Sequence, residues 1–333
     1  MTLSMQAFIA PAPGAALLRT TLPRPVPARG EVLVRVHASG VNPLDLKVRA
    51  GQAAHARQPL PAVPGIDMAG TVQAVGPGVA GFAPGDAVYG MAGGVGGLQG
   101  SLAEWMVVDA RLLALKPRRL SMREAAALPL AVITAWEGLV DRAGVHAGQT
   151  VLVQGGAGGV GHVAVQLARS RGARVVATAA PEDFAAVRAW GATPVDYRGL
   201  SIDALVAEHT GGEGFDVVFD AVGGAVLDAS FTAVRRYGGH VVSILGWGSH
   251  SLAPLSFRAG TYSGVFTLLP LISGIGRERH GQILRQAAAL VEAGQIEPRL
   301  DEQRFTLATA EQAHALVASG QARGKVVVDV LPA

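Results

Sequence analysis

Residues 31–38, EVLVRVHA, alternate apolar and polar positions and are rich in β-branched side chains, the pattern of a strand with one buried face. The alternation returns in shorter form at 70–75 (GTVQAV), 85–89 (GDAVY) and 103–108 (AEWMVV). Glycine and proline punctuate the gaps, as at Gly76-Pro77-Gly78. Short strands joined by such turns predict a small barrel-like β domain over about the first 120 residues.

The pattern changes at Ser121. Ser121-Met122-Arg123-Glu124 is a capping box, in which the serine caps a helix and the glutamate reaches back to it. Beyond it strand and helix patterns alternate: strands at 150–154, 173–179, 215–220 and 240–245, helices at 160–171 and 181–190. Strands separated by helices predict a parallel sheet with crossover helices. The tail reads as a helix at 281–293, a strand at 304–306, a helix at 310–318 and a closing strand at 325–331, and is expected to pack on the first domain.

Composition narrows the class. The chain has 333 residues, half of them hydrophobic and only 16% charged, enough apolar material for two cores. A net charge of +3 without any block of like charges is a solvated surface, not a nucleic-acid face. The absence of cysteine excludes disulfides, thiolate nucleophiles and cysteine-held zinc. The start, MTLSMQAFIA, has no basic segment leading into a long apolar one, so a cytoplasmic protein is expected. Between Arg258 and Arg277 lie 18 uncharged residues, but Pro270, four glycines and several hydroxyls make them a poor membrane span; a buried or interfacial segment is expected.

The strongest chemical signal is Gly156-Ala157-Gly158-Gly159-Val160-Gly161, a G-x-G-x-x-G directly after a strand and at the start of a helix. In that setting the spacing is a dinucleotide fingerprint. Gly156 is expected to permit the tight turn, Gly158 to let the backbone approach a pyrophosphate, and Gly161 to let helix and strand pack closely. Gly159, Val160 and Gly161 bring free N–H groups and the positive end of the helix dipole to the phosphates. The second strand ends Ala177-Thr178-Ala179-Ala180-Pro181, with no acid to grip a ribose 2′-hydroxyl. That favours NADPH over NADH, with Thr178, Tyr197 and Arg198, and Arg323 from the tail, as candidates around the 2′-phosphate. The glycine-rich 93–97 lacks the Gly-Lys-Ser/Thr ending of a phosphate loop and is expected to be a flexible surface loop.

Further motifs stand in order along the chain: Val41-Asn42-Pro43-Leu44-Asp45 with Arg49 and Gly51, Pro64-Gly65-Ile66-Asp67, Gly85-Asp86-Ala87-Val88-Tyr89-Gly90, Ala125-Ala126-Ala127-Leu128-Pro129, Thr134-Ala135-Trp136, Asp220-Ala221-Val222-Gly223-Gly224 and Arg323-Gly324-Lys325-Val326-Val327. With the fingerprint they resemble the zinc-free quinone oxidoreductase branch of the medium-chain dehydrogenase/reductase superfamily, over almost the whole chain. The resemblance implies an α/β fold in which a Rossmann doubly wound parallel sheet is inserted into a GroES-like β-barrel domain. Expected boundaries are 1–122 for the GroES-like domain, 123–257 for the Rossmann domain and 258–333 for a segment returning to the first. It also implies a homodimer or homotetramer. Zinc-dependent members carry a cysteine where Asn42 stands and Gly-His-Glu where Gly65-Ile66-Asp67 stands, so no zinc is expected. The chain departs from the branch at Phe184, where many members have lysine, and within 51–59, which lacks a frequent tyrosine.

The implied activity is NADPH-dependent hydride transfer to a quinone or an α,β-unsaturated carbonyl. An alkenal or enoyl-thioester double-bond reductase is the enzymatic alternative, and a non-catalytic dinucleotide-binding protein the alternative of another class. Asn42 is read either as a hydrogen-bond donor to the substrate oxygen or as an asparagine holding the turn before Pro43. Thr134 is a candidate contact to the nicotinamide. Val222, from the Asp220 motif, is expected near the nicotinamide ribose, Leu245-Gly246-Trp247 at the nicotinamide end, and 262–266, including Phe266, on the substrate side. Lys47, Asp45 and Arg49 are expected to form a local ion pair, and His162 to be a packing residue.

Overall fold

The computed structural model describes residues 3–199 and 201–331. The chain divides into two compact units, one made of Met1–Leu130, Leu268–Ala293 and Pro298–Ala333, the other of Ala131–Thr267 and Gly294–Glu297. The sequence reading set its boundaries at 123 and 258; in the structure the chain changes unit at 131 and 268. The second shift has a clear cause: Thr261–Gly264, in the uncharged segment, is a strand of the parallel sheet.

In the first unit the long strand Glu31–Val41 is the spine. It pairs antiparallel with Asp67–Val75, with Trp105–Asp109 and with the tail strand Val326–Asp329. Ala87–Met91 and Leu113–Leu115 extend the sheet on one side and Phe305–Thr306 on the other. Arg35 is exposed, but Leu33 is buried as well as Val32, Val34 and Val36, so both faces of the spine are largely covered. The short helix Met122–Ala126 lies against it so tightly that a Cβ on Gly40 would sit 2.2 Å from the Ala126 carbonyl oxygen. Its capping box forms as expected, Ser121 N–H donating to Glu124 Oε2 at 2.7 Å. Met5, Val41, Leu102, Phe305, Ala313 and Val328 share one core, so the tail is built into this unit.

The glycine stretch 93–97 is at the surface only at its end, Gly97 being exposed. Gly93, Gly94 and Val95 are buried, and a Cβ on Gly93 would lie 1.8 Å from the Gln99 carbonyl oxygen. These glycines permit close backbone approach, where the sequence reading expected a flexible surface loop.

The second unit is a six-stranded parallel sheet in the order Thr193–Asp196, Arg174–Ala179, Thr150–Gln154, Val217–Asp220, His240–Ser243, Thr261–Gly264. Leu152, Val176, Val218 and Val241 fill one side of the sheet with Phe215 and Phe231. The helix Pro129–Trp136 runs on into a π-helical turn, Glu137–Arg142, which the sequence pattern did not reveal. Gly138 in that turn lets the ring of Phe219 approach, since a Cβ there would meet Phe219 Cε2 at 2.7 Å. Strand order reverses between Thr150–Gln154 and Val217–Asp220, which marks the crevice where doubly wound sheets take ligands. Among the described residues no helix is long and apolar enough to cross a membrane.

Candidate active site

The fingerprint turn leaves the strand Thr150–Gln154 at Gly155 and enters the helix Gly161–Ser170. Its left-handed residue is Gly155, with φ +72°, and not Gly156, to which the sequence reading gave the tight turn. Gly156 serves packing: a Cβ there would stand 2.6 Å from Ala177 Cβ on the neighbouring strand. One on Gly161 would stand 2.0 Å from the Gly155 carbonyl oxygen, so helix and strand do approach as closely as expected. At Gly158 a Cβ would meet only the Gly155 oxygen, at 3.2 Å, which leaves its outer side open. No side chain caps the helix at Val160. A glycine open on one side beside an uncapped helix start is a fitting seat for a dinucleotide's pyrophosphate.

Thr178 is drawn into the turn itself. Its Oγ1 accepts from Gly155 N–H at 2.9 Å and donates to Gln154 Oε1 at 2.9 Å, so the hydroxyl is occupied within the protein. His162 is buried with Nδ1 3.0 Å from the Gly158 carbonyl oxygen, and tilts against the Trp190 ring. At the end of the next strand but one, Tyr197 is exposed and Arg198 is held by Asp196 and Glu182, at 3.3 and 3.2 Å. Glu182, just past the acid-free 177–181, reaches in space the proposed 2′-phosphate arginine. Arg323 belongs to the other unit, where its backbone N–H donates to Asp301 Oδ2 at 2.8 Å.

Asp220 organises the two loops expected at the nicotinamide. Fully buried, it accepts from Val222 N–H and Gly223 N–H at 3.0 Å and from Ser243 Oγ at 2.7 Å, while Ser243 Oγ accepts from Leu245 N–H at 3.1 Å. Gly223, at φ +79°, lies against the Leu245 carbonyl, and Val222 Cγ2 would touch a Cβ on Gly155 at 3.0 Å. The structure thus brings Gly155, Val222 and Leu245 together at the strand ends. Gly246 lies over the Tyr262 hydroxyl, and Trp247 meets Phe266 edge-on at 6.1 Å. Tyr262, expected on the substrate side, is half-buried and packs edge-on against Phe231, against the core of the sheet unit and near Ser243. Burial, with the charge of Asp220, raises its hydroxyl pKa. Thr134, a residue of this same unit, is buried in the helix Pro129–Trp136.

Asn42 lies in the first unit, within a buried polar cluster. Its Nδ2 donates to Asp67 Oδ2 at 3.0 Å, and Lys325 Nζ donates to its Oδ1. Its backbone N–H donates to Asp45 Oδ2 at 2.8 Å, and Asp67 Oδ1 accepts from Leu130 N–H at 2.9 Å. Burial pushes the Asp45 carboxyl up to about 7 and the Asp67 carboxyl up to about 6, against the pull of the Lys325 ammonium; burial likewise pushes Lys325 down. The expected local ion pair does not form. Asp45 turns inward to cap Asn42, and Arg49 pairs instead with Glu311 at 2.5 Å. Helix spacing placed these charges near one another, but Asp45 sits on the buried face.

Comparison with known proteins agrees with both halves. Residues 28–118 match the model of the alcohol dehydrogenase GroES-like domain, and 190–328 that of a zinc-binding dehydrogenase. The 2-methylene-furan-3-one reductase of Solanum lycopersicum is 36% identical over 91% of this chain and 72% of its own length. The chain belongs to the medium-chain dehydrogenase/reductase superfamily. Within that superfamily the chloroplastic NADPH-dependent alkenal/one oxidoreductase of Arabidopsis thaliana shows the same 36% identity and coverage, and human quinone oxidoreductase is 29% identical over 93% of this chain and 92% of its own. A solved alcohol dehydrogenase superfamily protein from Novosphingobium aromaticivorans superposes with a TM-score of 0.96 at 56% identity, over 98% of this chain and all of that one.

The name of the model matched by 190–328 implies zinc, and the residues here do not fit it. Ile66 carries no ligand atom, the Asn42 carboxamide is held at both ends, and an ammonium stands 4.0 Å from Asp67. Among the described residues no group of three or more His, Cys, Asp or Glu could hold a metal ion. Asp67 and Lys325 were visible as members of their motifs; that they meet at Asn42 was not.

Proposed function

We propose that the protein is an NADPH-dependent, zinc-independent reductase that transfers hydride to quinones or α,β-unsaturated carbonyl compounds. The observation that carries the reading is the turn after Thr150–Gln154, with left-handed Gly155, open Gly158 and an uncapped helix start at the switch point of a parallel sheet. When bound there, the dinucleotide supplies the hydride. The work left to the chain is to seat the pyrophosphate on the turn, to hold the loops at Val222 and Leu245 through Asp220, and to meet the negative charge that grows on the substrate oxygen. Asn42 keeps one amide hydrogen beyond the one given to Asp67, and that hydrogen is assigned to the oxygen; the Thr134 hydroxyl is assigned to the nicotinamide. NADPH is favoured because no acid stands at 177–181, and Arg198 would exchange Glu182 for the 2′-phosphate. A homodimer or homotetramer in the cytoplasm completes the proposal, with the sheet open to continuation at Thr261–Gly264.

A second reading, reduction of the carbon–carbon double bond of alkenals and enones in preference to quinones, is favoured by the 36% identity to two proteins named for such substrates, against 29% for the quinone oxidoreductase. Both readings are tested by mixing the protein with NADPH and a panel of quinones and enones, following NADPH absorbance, and identifying products. A hydroquinone supports the first emphasis and a saturated ketone the second. Tight NADPH binding with no turnover of either panel would overturn both and leave a non-catalytic dinucleotide-binding protein.

A further inference from the structure

Asn42, Asp45, Asp67 and Lys325 come from three stretches of sequence and meet inside one unit, with relative exposures of 1%, 2%, 0% and 5%. Two carboxylates and an ammonium are costly to bury unless each group answers the others. Here they do. The ammonium donates to Asn42 Oδ1 and stands 4.0 Å from Asp67 Oδ2, and Asn42 Nδ2 donates to the same Asp67 oxygen. The carboxamide is therefore fixed in one orientation. Turned over, its oxygen would face a carboxylate and its NH₂ an ammonium, each a repulsion in place of a charge-assisted hydrogen bond. Burial raises the carboxyl pKa of both Asp45 and Asp67, and the Lys325 ammonium pulls both back down. Asn42 and the neighbour of Ile66 are thus held by a positive charge at the place where zinc-dependent members of the superfamily carry a metal.

We propose that the Lys325 ammonium is a built-in cation that stands in for that metal ion, neutralising Asp67 and fixing the Asn42 carboxamide. Lys325 is on this view a positioning residue that acts through Asn42. The kinetic part rests on the reductase reading given above; the charge-pairing part does not.

The test compares the full chain with Lys325→Met, Asp67→Asn and the double variant, by thermal melting with and without added zinc, by metal analysis, and by NADPH-dependent kinetics on whichever substrate the parent reduces. Lys325→Met should melt about 10 °C lower, because it strands a buried carboxylate. Adding Asp67→Asn should restore most of that loss, and this double variant carries the kinetic test if the single one does not fold. In it kcat should fall about tenfold while KM for NADPH changes little, since Asn42 has lost its fixed orientation. Zinc should neither bind the parent stoichiometrically nor raise its melting temperature. Equal melting losses with and without Asp67→Asn would overturn the charge pairing. Stoichiometric zinc that stabilises the parent would overturn the stand-in, and parental kcat in the double variant would overturn the positioning role. If the parent reduces nothing, the reductase reading fails while melting and metal content still judge the pairing.

Discussion

A single hydrogen at Gly158 keeps the outer side of the fingerprint turn open, whereas its neighbours Gly156 and Gly161 are glycines because protein atoms stand within 2.6 and 2.0 Å of where a Cβ would be. The three substitutions should therefore behave differently. Gly158→Val should leave folding intact and lower dinucleotide affinity by about tenfold or more, as a branched side chain enters the phosphate space. Fluorescence titration with NADPH checks it, and unchanged affinity in a folded variant would mean that the turn is not the seat. At the proposed adenosine end Arg198 is already shared between Asp196 and Glu182. A charge-assisted hydrogen bond contributes roughly 1.5–3 kcal/mol, so the NADPH preference should be about tenfold. Ala180→Asp should reverse it by supplying a hydroxyl acceptor and repelling the phosphate. The measurement is the ratio of kcat/KM for the two cofactors; a parent that prefers NADH would sink the assignment.

Helix ends and buried helix faces set the next scale. Ser121 accepts from Glu124 N–H at 3.2 Å and its own backbone N–H is met by the glutamate, so both members of the box are engaged. Ser121→Ala should cost ~1 kcal/mol in denaturant unfolding without changing cofactor affinity. The helix Arg277–Glu292 carries His280 on its inner side, where burial pushes the imidazole down to about 4 and Nδ1 has no hydrogen-bond partner among the described residues. The unfolded chain takes up that proton near the ordinary histidine value, while the folded helix refuses it until about pH 4. Stability is thus lost as pH falls through that window. His280→Leu should shrink the drop in unfolding free energy between about pH 7 and about pH 4.5 by roughly 2–3 kcal/mol. A drop of parental size in the variant would show that the histidine is not the source.

At the scale of the molecule, each unit contributes a different kind of chemistry: the parallel sheet a seat for a dinucleotide, the β unit a buried charged cluster built from its beginning and its tail. Because the donors at 42, 66 and 67 do not suit zinc, reductase activity should survive exhaustive chelation and be unchanged by zinc readdition. Stoichiometric zinc whose removal abolishes turnover would contradict this.

Local pattern alone was enough for the strands at Glu31–Val41 and Thr150–Gln154, the capping box at Ser121 and the glycine fingerprint, because each is governed by neighbours within a few residues: alternation, a cap three positions on, a turn between strand and helix. The same locality explains the errors. Which glycine takes positive φ, whether a glycine-rich stretch is mobile or tightly packed, and whether Asp45 pairs along its helix or turns inward all depend on what lies across from it. The π-helical turn after Trp136 and the parallel strand at Thr261–Gly264 were also hidden, since each follows from packing on a sheet assembled from distant segments. Only the tertiary structure joined Lys325 to Asn42 and Asp67, because a buried charge finds its partner through space and leaves no periodicity along the chain.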